Sequence, residues 1–259
     1  ERLANHVGDL GALAGDVGYL PTSSYCGALR AEFLNALAEI CGNRFGRGLL
    51  APGGVRFDLD AAAATALAAR VRRAFANVKA AAGLMFESPS VRARFEGTGT
   101  VSRETALELG LVGPAARASG VDRDVRRDHA FGIYRFVHVP VVTSDGGDVY
   151  ARAWIRLLES ERSAEFVASQ LENLPEGIVG IPGGALRPRT MVVSLVEGWR
   201  GEIAHVAETD ERGRFAQYKV KDPSFHNWLG LAMALRDGQI SDFPLCNKSF
   251  NLSYAGHDL

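Results

Sequence analysis

The hydrophobic pattern of this chain changes period across a linker. Up to residue 174 apolar residues recur at helical spacing; beyond the Pro/Gly-rich stretch 175–188 they first alternate as in strands. With 259 residues, 47% of them hydrophobic, the chain can bury a sizeable core. The pattern implies a mainly helical α+β fold, a core helix bundle with small β-hairpin and irregular elements. Residues 1–174 read as the helical core with an irregular insert at 111–146. Residues 175–259 read as linker, β-hairpin and C-terminal helix and tail completing the same domain.

Within the helical part, Gly8, Gly11, Gly15 and Gly18 punctuate residues 1–20. That spacing suits a helix packed closely on a neighbour, although each glycine weakens it by about 1 kcal/mol relative to Ala. A second helix is read over 27–46 from Leu29, Phe33, Leu37 and Ile40. Pro52-Gly-Gly54 forces a turn. Asp58 reads as the N-cap of an Ala-rich helix from about 60 to 82. Pro89 opens a short helix, Gly97-Thr-Gly-Thr turns, and Ser102 with Glu104 and Thr105 starts a helix that stops near Gly110. An extended stretch is read at Phe136–Val142. Asp148 caps a long helix to about Leu174, with Trp154, Leu157, Leu158, Val167 and Leu171 inward. Arg156, Glu159, Glu161, Arg162 and Glu165 are read as its solvated face. Met191–Val196, Ile203–Thr209 and Tyr218–Val220 read as strands, the last two joined at Glu211-Arg-Gly213. Phe225–Leu235 reads as a helix ended by Asp237-Gly238.

A net charge of −1 gives no electrostatic case for nucleic acid. No apolar run reaches the roughly 18 residues that span a bilayer, and no signal peptide is visible. The chain begins with Glu1, so a fragment lacking an N-terminal segment is expected. Cys26, Cys41 and Cys246 are too few and scattered for a disulfide framework. They read as small buried hydrophobes in a reducing, cytosolic environment.

Several blocks carry a resemblance. Lys219-Val-Lys-Asp-Pro-Ser-Phe-His-Asn-Trp228 leads into a tail from Ile240 to Gly256. Arg2-Leu-Ala-Asn-His6, Asp16-Val-Gly18, Pro52-Gly-Gly-Val55 and Gly110-Leu-Val-Gly113 stand upstream of it. So do Arg117-Ala-Ser-Gly-Val121 with Asp124 and Arg126, and Asp145-Gly-Gly-Asp148. Glu197-Gly-Trp-Arg-Gly-Glu-Ile-Ala-His205 is similar to the hydrogenase pattern Glu-Ala-Pro-Arg-Gly-x-Leu-x-His. Together they resemble the large subunit of energy-converting (group 4) [NiFe] hydrogenases and the 49 kDa (D) subunit of NADH:quinone oxidoreductase. Ala51 departs from that pattern, since the quinone enzymes have Arg there.

The resemblance implies roles residue by residue. Arg200 matches an Arg beside the diatomic ligands of iron; a permanent cation there orients and stabilises negative charge. A structural salt bridge is the other role its chemistry allows. His205 could relay protons near neutral pH or stand as a structural strand residue. Asp16 matches a carboxylate that partners a quinone-site His; it also suits a helix end. Asp258 matches an acidic position just past a cysteine pair, and also suits a solvated terminus.

Aligned without gaps from Pro223-Ser-Phe, that hydrogenase cysteine pair falls on Ser253 and Gly256. Nickel and low-spin iron need soft thiolates, which Ser and Gly do not supply. A nickel–iron site is therefore not expected, and no metal ligands are assigned. His226 and His257 make no metal set by spacing. The chain reads as a subunit lying peripherally on the cytoplasmic side of the inner membrane, in a respiratory complex. The resemblance implies partners: a small iron–sulfur subunit, which carries the cluster, and the other complex subunits. One reading makes the degenerate metal site a cavity for a quinone or another electron acceptor, lined by Arg200, His205, Asp16 and Asp258. A second makes the chain a non-catalytic scaffold, its cavity filled by Phe250 and Tyr254. A third places the hydrogenase ligands elsewhere in a longer protein.

Overall fold

The computed structural model describes residues 1–256. Its helices are α1 (Arg2–Asp16), α2 (Leu20–Cys41), α3 (Ala61–Glu87), α4 (Pro89–Phe95), α5 (Arg103–Glu108), α6 (Gly113–Ala118), α7 (Val125–Asp128), α8 (Val149–Glu172), α9 (Pro223–Ala234) and α10 (Phe243–Phe250). Its strands are β1 (Leu50–Ala51), β2 (Gly54–Val55), β3 (Met191–Glu197), β4 (Glu202–Thr209) and β5 (Phe215–Lys221). The chain forms two compact units. One comprises Glu1–Ser88 with Leu157–Gly184, the other Pro89–Arg156 with Ala185 onward. The linker read at 175–188 straddles the boundary at Gly184.

In the first unit α1 packs on α2 at its glycines. A Cβ at Gly11 would stand 2.8 Å from the Cys26 side chain, so only the missing side chain permits this approach. Thr22 Oγ1 donates to the Ala81 carbonyl at 2.6 Å and ties α2 to α3. Helix α2 starts at Leu20 rather than 27, because Pro21 is suited to a first turn where its missing N–H is not needed. Asp60, not Asp58, caps α3: its carboxylate accepts from Ala63 N at 2.7 Å. We expect Asp60→Ala to cost about 1 kcal/mol. That is a fall of about 2–4 °C in thermal midpoint for a chain of this size. Asp58→Ala should move the midpoint less; equal shifts would show that the capping assignment is wrong.

The Pro52-Gly-Gly54 turn closes the small β1–β2 hairpin. Gly53 has φ +94°, and a Cβ there would lie 1.8 Å from the Ile181 carbonyl oxygen. Part of the linker is thus pinned to the turn, with Val55 N donating to Val179 O and Ile181 N to Gly53 O, both at 3.0 Å.

The second unit holds the short helices, the first third of α8, and an antiparallel meander β3-β4-β5. The stretch Phe136–Val142 is not a strand; Pro140 lacks a ladder donor, and the sheet forms elsewhere. Residues 111–146 are less irregular than expected, since α6 and α7 lie within them. β5 begins at Phe215, three residues earlier than read, after a register shift at Glu208/Thr209. Asp222 caps α9 by accepting from Ser224 N at 2.8 Å. Helix α10 has no counterpart among the elements read from the sequence. A small core of Ala118, Ala151 and Ile155, with Val142 against it, holds α6 to α8.

One reading of α8 is corrected outright. Arg156 and Glu159 are not on a solvated face: they are 2% and 4% exposed, and Arg152 is 1% exposed. Buried charges persist only where partners meet them: Glu159 meets Arg2 and His6, and Arg152 and Arg156 meet groups of the C-terminal tail.

Candidate functional site

The C-terminal tail is held by three arginines in the second unit. Helix α10 ends at Asn251, which is left-handed at φ 50° and ψ 52°. Arg156 Nη2 donates to the Phe250 carbonyl at 3.2 Å. Arg200 Nε donates to the Asn251 carbonyl. Arg152 Nε donates to Ser249 Oγ at 2.8 Å, and its guanidinium lies 4.4 Å from the centroid of the Phe250 ring. A helix C-terminus carries exposed carbonyls and the negative end of the helix dipole, so cations suit it. The other Arg152 nitrogens donate to Gly147 O at 2.7 Å and Gly99 O at 3.0 Å. Burial pulls the Arg152 guanidinium down to about 10; the Cys246 thiol nearby opposes that shift. Burial pushes the Cys246 thiol up, with Arg152 acting the other way.

Arg200 reaches the tail from the turn between β3 and β4. Gly198 and Gly201 exchange backbone bonds at 2.8 and 3.2 Å, leaving Trp199 and Arg200 at the tip. The Arg200 guanidinium stacks 3.8 Å from the centroid of Trp199. Gly113, at φ +65°, lies under this turn: a Cβ there would be 2.1 Å from the Arg200 carbonyl oxygen. Backbone contact thus accounts for the glycine at position 113 of the sequence block.

Positions 253 and 256 are side by side. Gly256 N donates to Ser253 Oγ at 2.9 Å, and Ser253 N donates to the buried Ser224 Oγ at 2.9 Å. A Cβ at Gly256 would meet Ser253 Oγ at 2.6 Å and Asp222 Oδ2 at 3.5 Å. The donors gathered here are hydroxyl and carboxylate oxygens. Among the described residues no group of three or more His, Cys, Asp or Glu could hold a metal ion. Phe250 is buried, whereas Tyr254 is 67% exposed and accepts from Asn247 Nδ2 at 2.8 Å.

The Arg117 block builds the floor of an adjoining cavity. Arg117 is 1% exposed; its Nη1 donates to Glu197 Oε1 and to the Arg123 carbonyl, both at 2.9 Å, and lies 3.5 Å from Asp124 Oδ2. Val125 N donates to the second Glu197 oxygen at 3.1 Å. Arg126 grips Asp124 through two bonds of 2.9 and 2.6 Å. The cavity holds about 450 Å³ and is lined in part by Arg123, His129, Glu197, Glu202 and His226. Burial, and then Lys221, push the His226 imidazole below its ordinary value. Its Nε2 is buried without a hydrogen-bond partner among the described residues.

The remaining sequence-read positions are dispersed. His205 lies mid-strand in β4, half-buried, with Nδ1 at 2.7 Å from the Tyr218 hydroxyl. Asp16 ends α1 in the first unit. Asp258 lies outside the described residues. The first unit has its own buried charged group: His6 is fully buried, with Nε2 at 2.9 Å from Glu159 Oε2, which also accepts from Arg2 at 2.6 Å. Sequence reasoning gave no role to Arg152, Asn251, Ser224 or Glu197. Of these Glu197, Ser224 and Asn251 had a signal, since each lies in a block that carries the resemblance, whereas Arg152 had none.

The same chain matches known proteins along most of its length. The family profile described as respiratory-chain NADH dehydrogenase, 49 Kd subunit, matches residues 16–185. Formate hydrogenlyase subunit 5 of Escherichia coli (strain K12) is 28% identical over 100% of this chain and 45% of its own length. The NADH-quinone oxidoreductase (D) subunit of Clostridium beijerinckii is 30% identical over 88% of this chain and 62% of its own. The chain thus spans about half to three fifths of these two relatives. A chain in the solved membrane-bound sulfane sulfur reductase, an archaeal respiratory membrane complex, shares the fold. Its TM-score is 0.88 at 23% identity, over 97% of this chain and 70% of that one.

Proposed function

The chain belongs to the family of the 49 kDa subunit of respiratory-chain NADH dehydrogenase, and from that premise we propose that it serves as an oxidoreductase subunit of a membrane-bound respiratory complex. It docks on the cytoplasmic side of the membrane beside a small iron–sulfur subunit that carries the cluster. Among the described residues no helix is long and apolar enough to cross a membrane. The ligand is a quinone or another electron acceptor rather than a nickel–iron centre.

The observation that carries this reading is the tail geometry. Arg200 is fixed against the Asn251 carbonyl, while the two positions beyond it carry Ser253 and Gly256. Oxygen donors such as Ser253, Ser224 and Asp222 do not suit nickel or low-spin iron. Cys246 offers no substitute, because it is a lone thiolate source and no group of three or more His, Cys, Asp or Glu gathers around it among the described residues. The residues present do not fit a nickel–iron group. What the frame retains is a permanent cation that can orient a polar acceptor.

A second reading, a scaffold without chemistry, also has an observation in its favour. Arg152, Arg156 and Arg200 all donate to tail groups, and Phe250 is buried among them. One experiment separates the readings. In the assembled complex purified anaerobically, Arg200→Ala should weaken binding of a quinone analogue about tenfold. That is the loss of one charge-assisted hydrogen bond of about 1.5 kcal/mol. Unchanged binding and turnover in that variant would favour the scaffold. Stoichiometric nickel in the unsubstituted protein would overturn the claim that the metal site is lost.

A further inference from the structure

Helix α9 holds two segments of the candidate site through one face. Ser224 and Asn227 lie three residues apart on it, and both are buried, at 0% and 1% exposed. Ser224 Oγ accepts from Ser253 N at 2.9 Å and so holds the tail. Asn227 holds a different segment. Its Oδ1 accepts from Val112 N at 3.0 Å, and its Nδ2 donates to Val112 O at 3.1 Å. Both bonds go to the main chain of one residue, as those of a strand partner would. An amide is the neutral side chain that offers an acceptor and a donor in one plane. Asp in its place would turn a second acceptor toward the Val112 carbonyl. An apolar side chain would take both partners away from the Val112 main chain.

The Val112 main chain matters because the Arg200 turn rests on it. Gly113, next in sequence, lies under that turn, and the contact is close from both sides. A Cβ at Gly201 would lie 2.8 Å from Val112 Cγ2 and 2.8 Å from Gly113 N. The turn itself is closed by the two bonds between Gly198 and Gly201. Backbones packed this closely leave no slack, so a displacement of Val112 passes to the turn that carries Arg200. Arg200 Nε in turn meets the Asn251 carbonyl, in the same tail whose Ser253 is held by Ser224.

We propose that Asn227 is the positioning residue for Arg200: by fixing the Val112 main chain it seats the Gly198–Gly201 turn, and together with Ser224 it sets Arg200 against the tail. The inference rests on the reading of Arg200 as the cation that orients a polar acceptor. Asn227 acts through Val112 and Gly113, not on the acceptor.

Two readouts test it. The first follows Trp199, at the tip of the turn and stacked on Arg200. In the full chain labelled with fluorotryptophan, its fluorine resonance is assigned by Trp199→Phe. Asn227→Ala should move that resonance and leave that of Trp154, on α8, in place. Leu231→Ala loosens the buried face of α9 without removing a bond to Val112, and should leave Trp199 unmoved. Val112→Ala keeps both main-chain bonds and removes the contact with Gly201. It should also move Trp199, and it carries the test where Asn227→Ala does not fold. The second readout is binding of a quinone analogue by the assembled complex. Asn227→Ala should weaken it about tenfold, as Arg200→Ala does. The double variant should bind no more weakly than Arg200→Ala alone. A Trp199 resonance unmoved in Asn227→Ala and Val112→Ala would overturn the inference, and so would an equal shift in Leu231→Ala. Losses of binding that multiply in the double variant would overturn it too. Normal analogue binding by Arg200→Ala would instead remove the functional reading, and the Trp199 resonance would still decide whether Asn227 seats the turn.

Discussion

Arg117→Met is expected to lower the stability of the second unit by about 3–5 kcal/mol, the usual result of removing one partner from a buried ion pair. The side chain is 1% exposed, and its partners Glu197 and Asp124 are 2% and 1% exposed in their side chains. Met matches the length and volume of the Arg stem, so the loss is not a cavity effect. It comes from taking the guanidinium away from the Glu197 carboxylate in a dry site, where Val125 N still donates to its other oxygen. Asp124 loses less, because Arg126 retains its two bonds. Thermal unfolding of the chain should show a midpoint lower by about 10 °C. Adding Glu197→Gln to Arg117→Met should recover part of that loss, since the stranded charge is gone; the double-mutant cycle gives the coupling directly. Strictly additive effects of the two changes would show that the pair does not act as a unit.

The Arg117 network also shows where sequence reading ends. Its motif was visible as a block of residues, but no periodicity says which carboxylate an Arg will meet 80 residues later at β3. Elements set by local chemistry were legible. The β4–β5 hairpin and the Ser102 start of α5 follow from alternation, turn chemistry and capping, and Ser102 does accept from Thr105 N at 3.1 Å. Short helices were not legible. α7 has four residues and α6 six, fewer than two turns each, too little for a 3.6-residue period to register. α10 contains Pro244 near its start, and Asn247 and Ser249, which favour helices weakly. Its stability comes from the arginines that bind its end, which are tertiary contacts. The solvated-face reading of α8 failed for the same reason. Amphipathic logic assigns charge to water, whereas Arg156 and Glu159 are held by groups distant in sequence. The Arg200 position was singled out by the resemblance of its block; its contact with Asn251 was not legible.

Arg152→Met is the second large effect, and it separates anchoring of the tail from stability elsewhere. Arg152 holds Ser249 Oγ, Gly147 O and Gly99 O, and covers the Phe250 ring. Holding its charge in so dry a place is costly, as its lowered pKa of about 10 records, and the three acceptors offset that cost. Met keeps the apolar contact with Phe250 and abandons all three. The Gly99 carbonyl then lacks its donor, whereas the Gly147 carbonyl keeps the bond from Val101 N at 3.0 Å, so a loss of about 1–3 kcal/mol is expected. The effect should be local first. Arg156 and Arg200 alone would still grip the α10 C-terminus, and fraying there exposes the peptide bond after Lys248. Limited trypsin digestion should therefore cut after Lys248 faster in the variant, while cleavage after Arg70 and Arg72 in α3 keeps its rate. Arg152→Lys should restore little, because a compact ammonium does not reproduce the planar fork that reaches three acceptors. Equal acceleration at all these bonds would mean that Arg152 supports the whole fold rather than the tail. Acceleration confined to Lys248 would make it the residue that keeps Ser253 and Gly256 in register with Arg200.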